Sequence, residues 1–282
     1  MKLIRYGAVG AEKPGLIAAD GTIRSLSPVI GDIGPDQLAP ESLRALAGLD
    51  TSALPVVEGD VRYGVPVAGI REVVAIGLNY KQHAIEAGMK IPTEPMIFSK
   101  AVASLSGAND DILLYRGSET TDWEVELGIV IGRDCDHVSQ EEALNYVAGY
   151  VNVNDVSERT WQIDRGGQFF KGKSAKSFCP VGPWLVTADE VGDPQKLGLR
   201  LTVNGETMQD GNTSDMIFPV AEIISCVSHH LPLRAGDLII TGTPAGVGMG
   251  FNPRKYLKAG DVVEQEVDGL GVQRHQVVSH SK

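Results

Sequence analysis

The sequence predicts a strand-rich α+β protein with a small domain ahead of a larger one. Short apolar or alternating runs, bounded by Gly, Pro, Asn or Asp, recur along the chain, and helical patterns are few. Strands do not alternate regularly with helices, as a doubly wound parallel sheet would require. The first stretch, to about residue 70, is punctuated throughout by Gly, Pro and Asp, which sets it apart from the rest.

The elements follow in order. Residues 3–6 and 15–19 read as strands with a turn at Asp20-Gly21, and 41–47 as a short helix behind Pro40. Residues 1–70 then form a small N-terminal α/β domain and 71–282 the main one. In the main domain, 73–77, 96–99, 123–131, 184–187, 199–203, 238–241 and 262–267 read as strands. Residues 80–87, 140–143 and 219–229 carry the helical patterns. There is no internal repeat and no low-complexity tract.

Composition narrows the function classes. A formal net charge of −11 argues against nucleic acid or an anionic membrane as partner. It leaves room for a small anionic substrate, because a metal ion and a few cations can reverse the field locally. No run approaches the roughly 20 apolar residues of a membrane span. The N-terminus lacks an apolar signal segment, so a cytoplasmic location is expected. Cys135, Cys179 and Cys226 are odd in number, far apart and outside any CxxC pattern. That argues against a disulfide framework or thiolate zinc site and favours small buried hydrophobes.

The segment Asp122-Trp123-Glu124-Val125-Glu126-Leu127-Gly128-Ile129-Val130-Ile131 is the most informative. Strand alternation puts Trp123, Val125, Leu127, Ile129 and Ile131 on a core face, and Asp122, Glu124 and Glu126 on the other. Two carboxylates roughly 7 Å apart along a strand need a neutralising partner, which can be solvent alone. A third acid, Asp155, ends the apolar-to-polar run Val151-Asn152-Val153-Asn154-Asp155, where a strand would give way to a loop. Three carboxylates without a His/Cys cluster suit Mg²⁺ or Mn²⁺, and no EF-hand loop points to Ca²⁺. Spacing leaves open whether Asp155 meets the two glutamates.

Three further segments carry chemistry. His83 and Glu86 are three apart and share a helix face, as an imidazole and its orienting carboxylate would, though surface ion pairs also have this spacing. Lys171, Lys173 and Lys176 form a local positive cluster that could bind a carboxylate or be a solvated loop. The run Asp237 to Gly248 is a strand feeding the turn Thr241-Gly242-Thr243-Pro244-Ala245-Gly246. There Gly242 would let backbone N–H groups approach an anion and Thr243 would add a hydroxyl, unless the turn is simply a tight hairpin. It is neither a P-loop nor a dinucleotide fingerprint, since no Gly-Lys-Ser/Thr follows and Pro253 stands where a helix should open. His137, His229, His230, His275 and His280 lack such partners and read as structural or surface residues.

These segments occur in one order. Gly77-Leu78-Asn79-Tyr80 with His83 and Glu86 is followed by Glu124-Val125-Glu126-Leu127-Gly128, then Asn154-Asp155-Val156-Ser157 with Arg159 and Gln162. Lys171-Gly172-Lys173-Ser174 leads to Pro180-Val181-Gly182-Pro183, then Val203-Asn204-Gly205-Glu206, then Gly236-Asp237 through Gly248. The series resembles the fumarylacetoacetate hydrolase family. That resemblance implies a mixed β-sandwich roll, a homodimer, and a Mg²⁺ or Mn²⁺ ion held by Glu124, Glu126 and Asp155. It further implies that His83 and Glu86 are a catalytic pair on a lid helix, and that Lys173 steadies developing negative charge. Arg159, Gln162, Gly242 and Thr243 match substrate-binding positions. Met1–Gly7 with Glu12-Lys13-Pro14-Gly15 resembles the subgroup acting on 2,4-diketo-3-deoxy sugar acids of fuconate or rhamnonate breakdown.

The expected activity is hydrolysis of the C–C bond of a 2,4-dioxo acid to pyruvate and a carboxylic acid. A ureidoglycolate lyase, an oxaloacetate decarboxylase or an oxo-acid isomerase could use the same site. A non-catalytic oxo-acid-binding protein is the rival of a different class.

Overall fold

The structure, a computed structural model, describes residues 1–280. Strands dominate it. An eleven-stranded mixed sheet runs through the molecule, and a five-stranded sheet packs against one of its faces. The five-stranded sheet takes the order Glu206–Asn212, Gly198–Val203, Val262–Val267, Gly271–Ser279, Ile112–Leu114. Among the described residues, no helix is long and apolar enough to cross a membrane.

Predicted strands appear at Lys2–Tyr6, Lys13–Ile17, Val73–Gly77, Met96–Lys100, Val125–Ile131, Leu185–Thr187, Gly198–Val203, Leu238–Ile240 and Val262–Val267. Predicted helices appear at Pro40–Ala47, Lys81–Glu86, Gln140–Ala143 and Val220–His230, and short ones at Pro35–Leu38, Phe169–Lys173 and Ala188–Val191 add to them. Strands at Ile23–Ser25, Leu105–Gly107, Ile112–Leu114, Cys179–Val181, Glu206–Asn212 and Gly271–Ser279 add to the set. Several of these are three residues long, too short for a period to show. The first three strands of the chain continue the large sheet, joined through the pairing of Lys2 with Val186.

The strand Val125–Ile131 lies near the middle of the large sheet and is buried along its whole length. Trp123, Val125, Leu127, Ile129 and Ile131 face the core shared with the second sheet, beside Leu199, Leu201, Val263 and Val267. The opposite face is buried as well. There Val130 joins Leu3, Leu16, Ile33, Leu38, Val151 and Leu238 in a second core contributed partly by the N-terminal region. The alternation read from sequence is therefore correct, but neither face is solvated. Glu124 and Glu126 lie on the second face, beyond the end of its apolar packing.

Strand Val147–Asn154 pairs antiparallel with Val125–Ile131, matching Val153 to Glu126 and Asn154 to Val125. Strand Leu238–Ile240 flanks Val125–Ile131 on the other side and also pairs, in parallel, with Val73–Gly77. These neighbours deliver Asp155, Gly242 and the helix Lys81–Glu86 to the same end of the sheet.

Candidate active site

Pairing register brings the three acids together. With Asn154 opposite Val125, Asp155 falls beside Glu124, and the Asp155 N–H donates to the Glu124 carbonyl at 2.9 Å. Glu124, Glu126 and Asp155 each present a carboxylate oxygen within 4.8 Å of the others. Their exposures are 5%, 2% and 1%, which rules out a solvated acidic face.

Three buried cations surround them. Lys173 Nζ lies 2.7 Å from Glu124 Oε2, 2.5 Å from Asp155 Oδ2 and 2.8 Å from Ser157 Oγ. Lys100 Nζ, at the end of strand Met96–Lys100, bonds Asp155 Oδ1 and the Val156 carbonyl. Arg159 donates from Nε to Asp122 Oδ2 at 2.8 Å and from Nη1 to Gln162 Oε1 at 3.0 Å, and its Nη2 lies 2.7 Å from Glu124 Oε1. Of the lysine cluster, Lys173 alone is buried against the acids, while Lys171 and Lys176 are exposed.

The electrostatics are uneven. Burial alone would raise the Glu124 carboxyl, but Lys173, Arg159 and His83 overcome it and hold that group far below its usual range. Glu126 has no cation within 4 Å among the described residues. It accepts one hydrogen bond from the Gly242 N–H at 2.7 Å. Burial, then repulsion from Asp155 and Glu124, push its carboxyl well above the usual range.

Gly242 has φ +91°, and a Cβ there would sit 2.8 Å from the Asn79 Cβ, so only glycine brings this N–H to Glu126. In this structure the Gly242 N–H is taken by a protein carboxylate. The Thr243 hydroxyl is likewise engaged, donating to the Val125 carbonyl at 2.8 Å and accepting from Gln209 Nε2 at 2.7 Å. Thr243 lines the cavity, and its hydroxyl fastens the turn to the acidic strand.

His83 and Glu86 sit on the helix Lys81–Glu86 with Nδ1 3.1 Å from Glu86 Oε2. The pair is no surface bridge, since His83 is 8% exposed and faces the acids. The other Glu86 oxygen, Oε1, accepts from the Gly246 N–H at 2.9 Å and docks the helix on the glycine-rich turn. Asn79, fully buried just before the helix, donates to the Phe218 and Thr241 carbonyls at 3.1 and 2.8 Å and accepts from the Phe218 N–H at 2.8 Å. Gln162 lies in a wide π-type turn, Thr160–Asp164, a distortion often found at functional sites.

A cavity of about 270 Å³ joins these groups. His83, Glu124, Glu126, Asp155, Arg159, Gln162, Lys173, Gly242 and Thr243, all singled out from sequence, line it. Leu78, Met89, Phe98, Ile163, Phe169 and Met249 complete an apolar wall. Sequence reasoning did not single out Lys100, Asp122 or that wall. The signal for Lys100 was a lysine closing an apolar strand, and for Asp122 its place on the glutamates' face. Elsewhere, His275 is buried between the Asp110 carbonyl and Gln273, and His229 and His230 bond carbonyls of their own helix.

The residues fit a hard divalent cation. The donor set is all oxygen, and among the described residues Glu126 lacks a neutralising cation. Formally, Asp122, Glu124, Glu126 and Asp155 outnumber Lys100, Arg159 and Lys173 by one charge, so a divalent ion would make the site net positive.

Comparison with known proteins agrees with this geometry. The family model described as fumarylacetoacetate (FAA) hydrolase C-terminal matches residues 72–278. The 2,4-didehydro-3-deoxy-L-rhamnonate hydrolase of Sphingomonas sp. (strain SKA58) is 59% identical over 278 residues, 98% of this chain and 96% of that protein. The solved structure of fumarylacetoacetate hydrolase from psychrophilic Exiguobacterium antarcticum superposes with TM-score 0.87 at 34% identity, covering 99% of this chain and 100% of the other. Maleylpyruvate hydrolase from Sphingobium sp. SYK-6, solved in complex with manganese(II) ion and pyruvate, gives TM-score 0.83 at 28% identity over the whole of both chains. With a shared fold, a matched family model and the buried acid cluster in place, the chain belongs to the fumarylacetoacetate hydrolase family.

Proposed function

We propose that this chain is a divalent-metal-dependent hydrolase that cleaves the C3–C4 bond of a 2,4-dioxo acid, with 2,4-diketo-3-deoxy sugar acids as the favoured substrates. The observation that carries the reading is one cavity holding three buried carboxylates opposite a His–Glu pair. The Sphingomonas relative and the manganese and pyruvate bound by the Sphingobium enzyme support the substrate class and the ion.

Glu124, Glu126 and Asp155 would hold Mg²⁺ or Mn²⁺, which when bound supplies Lewis-acid polarisation of a substrate oxo group. Arg159, buried and held at three points, offers its guanidinium to the substrate carboxylate, with Gln162 beside it. Glu86 fixes the His83 ring through Nδ1, which leaves Nε2 to take a proton from water. The resulting hydroxide adds to C4. The C3–C4 electron pair then leaves as the enolate of pyruvate, and protonation at C3 gives pyruvate and a carboxylic acid. Lys173 keeps an ammonium beside that developing charge: burial would lower its pKa, but Asp155 and Glu124 raise it.

An activated water is needed for hydrolysis and not for tautomerisation, so the His83–Glu86 pair favours the hydrolase over an isomerase. The free cysteines suit a cytoplasmic setting, and we propose a homodimer as the working unit. The test is pyruvate release from acylpyruvates and 2,4-diketo-3-deoxy sugar acids, with Mg²⁺ and with EDTA. Metal-dependent pyruvate from one of them is expected. No pyruvate from any, with metal bound, would remove this reaction in favour of ureidoglycolate cleavage or oxaloacetate decarboxylation.

A further inference from the structure

We infer that Asp122 is a positioning residue that ties Arg159 to the turn on which the lid helix docks, so that the carboxylate-binding and water-activating halves of the site move as one. The inference rests on the proposed roles of Arg159 and His83, but its geometry stands apart from them.

Asp122 is fully buried, and four donors surround its carboxylate. Oδ1 accepts from the Trp123 N–H at 2.8 Å and the Gly248 N–H at 2.6 Å. Oδ2 accepts from Arg159 Nε at 2.8 Å and the Met249 N–H at 3.0 Å. One carboxylate thus clamps both the guanidinium and two successive amides of the turn. Two residues back, the Gly246 N–H holds Glu86 Oε1, while Glu86 Oε2 orients His83. One residue on, a Cβ at Gly250 would lie 2.3 Å from the Glu86 carboxyl carbon, so turn and lid are in close contact. The turn is held from outside too, since the Lys255 N–H donates to the Gly248 carbonyl at 2.9 Å. The connection therefore runs His83, Glu86, Gly246, Gly248 and Met249, Asp122, Arg159. The Met249 side chain lines both the main cavity and a smaller one shared with His83 and Glu86.

The chemistry requires an acid at 122. An asparagine of the same shape offers one acceptor oxygen and one donor group. Whichever way its amide turns, the NH₂ faces two N–H donors, either those of Trp123 and Gly248 or those of Arg159 and Met249. Asp122→Asn must therefore release the turn or the guanidinium, though the side-chain volume is unchanged. Pairs joined through shared hydrogen bonds are expected to be non-additive when both ends are altered.

The test is amide hydrogen exchange on the Mg²⁺-supplemented, substrate-free protein, alongside steady-state kinetics. In Asp122→Asn, exchange should rise about tenfold or more at residues 84–89 and 246–250, with little change in helix Val220–His230 or strand Val125–Ile131. Arg159→Lys cuts the same tie at its other end, because lysine cannot fork to Asp122, Glu124 and Gln162 together. It should loosen the same amides, and it carries the test alone if Asp122→Asn does not fold. In Asp122→Asn, kcat should fall as KM rises, and adding Glu86→Gln should lower kcat by less than the product of the single effects.

Lid exchange within about twofold of wild type in the variants that fold would overturn the inference. So would a uniform rise across the molecule, which would mark a structural residue only. If Arg159→Lys raises KM and leaves exchange unchanged, Arg159 binds substrate without the tie. Because exchange is read without substrate, missing pyruvate release would remove the proposed reaction and leave the tie standing.

Discussion

Asn79→Leu isolates the anchor of the chain just before helix Lys81–Glu86. The Asn79 side chain is fully buried and serves three backbone groups: the Phe218 carbonyl, the Thr241 carbonyl and the Phe218 N–H. Leucine has the same branched shape but is somewhat larger and has no hydrogen-bonding atom, so it leaves all three without partners and little room for water. Each stranded buried group costs about 1–3 kcal/mol, and burying the leucine offsets about 2 kcal/mol of the total. A net loss of about 3–5 kcal/mol is expected, a large part of the roughly 5–15 kcal/mol that holds a domain folded. In a chain of this size it lowers Tm by about 10 °C. Urea unfolding of wild type and variant at one protein concentration, with m compared, measures it. Function should respond as well. Lys81–Glu86 starts two residues on, so kcat should fall, while calorimetry should find metal affinity little changed because Asn79 bonds none of the three acids. A loss below about 1 kcal/mol at unchanged m would refute the reasoning and show that Phe218 and Thr241 find other partners.

Three other predictions concern the site itself. Glu126→Ala should abolish metal-dependent turnover, whereas His83→Ala should lower kcat by at least about 10² with metal binding intact; a His83→Ala enzyme of normal rate would end its assignment as the base. Metal uptake should release protons and weaken as pH falls, because Glu126, raised by burial and its acidic neighbours, must deprotonate to ligate. The sign for stability is the reverse of a salt-bridged acid. Metal-free folded protein keeps a proton that the unfolded chain has lost, so its stability drops as pH rises from the ordinary carboxylate pKa through the raised value of Glu126. Calorimetry in buffers of different ionisation enthalpy, and chelator-treated melts across pH, read these two effects; no proton release would count against the shift. Finally, the wall of Leu78, Met89, Phe98, Ile163, Phe169 and Met249 offers no cation to a second carboxylate, since Arg159 is assigned to the first and Lys173 to the developing enolate. Dioxo acids ending in a methyl or hydroxyalkyl group should therefore exceed their dicarboxylate analogues by about a hundredfold in kcat/KM; equal values would show that a cation reaches that wall.

Much of the scaffold was legible in the sequence where a strand was long enough to show its period. The odd residues from Trp123 to Ile131 face the inter-sheet core as their alternation demanded. Alternation could not reveal that Val130 faces a second core, because the chain supplying it, around Leu3, Leu16 and Leu38, lies some hundred residues away. The three acids were readable as residue types, but their meeting depends on the register of Val153 with Glu126, a pairing that spacing does not encode. The lysine cluster shows the same limit. Burial separates Lys173 from Lys171 and Lys176, and burial follows from how Phe169–Lys173 packs behind the π-type turn. Lys100 escaped notice because a lysine after an apolar strand usually marks the strand's exit to solvent, whereas here its ammonium is turned inward to Asp155.

The acids and the recognising wall stand on supports of different stiffness. Glu126 lies in, and Glu124 just precedes, a strand clamped between two cores, and Asp155 follows the strand paired to it. Met89, Ile163, Phe169 and Met249 belong to short helices, a distorted turn and a loop at the rim. Exchanging rim residues perturbs few core contacts, whereas altering the strands disturbs two cores together. A lineage or a mutant library can therefore explore new acyl tails at the rim while the activating centre is inherited unchanged, and selection for altered range should accumulate at 89, 163, 169 and 249 before it touches 124, 126 or 155.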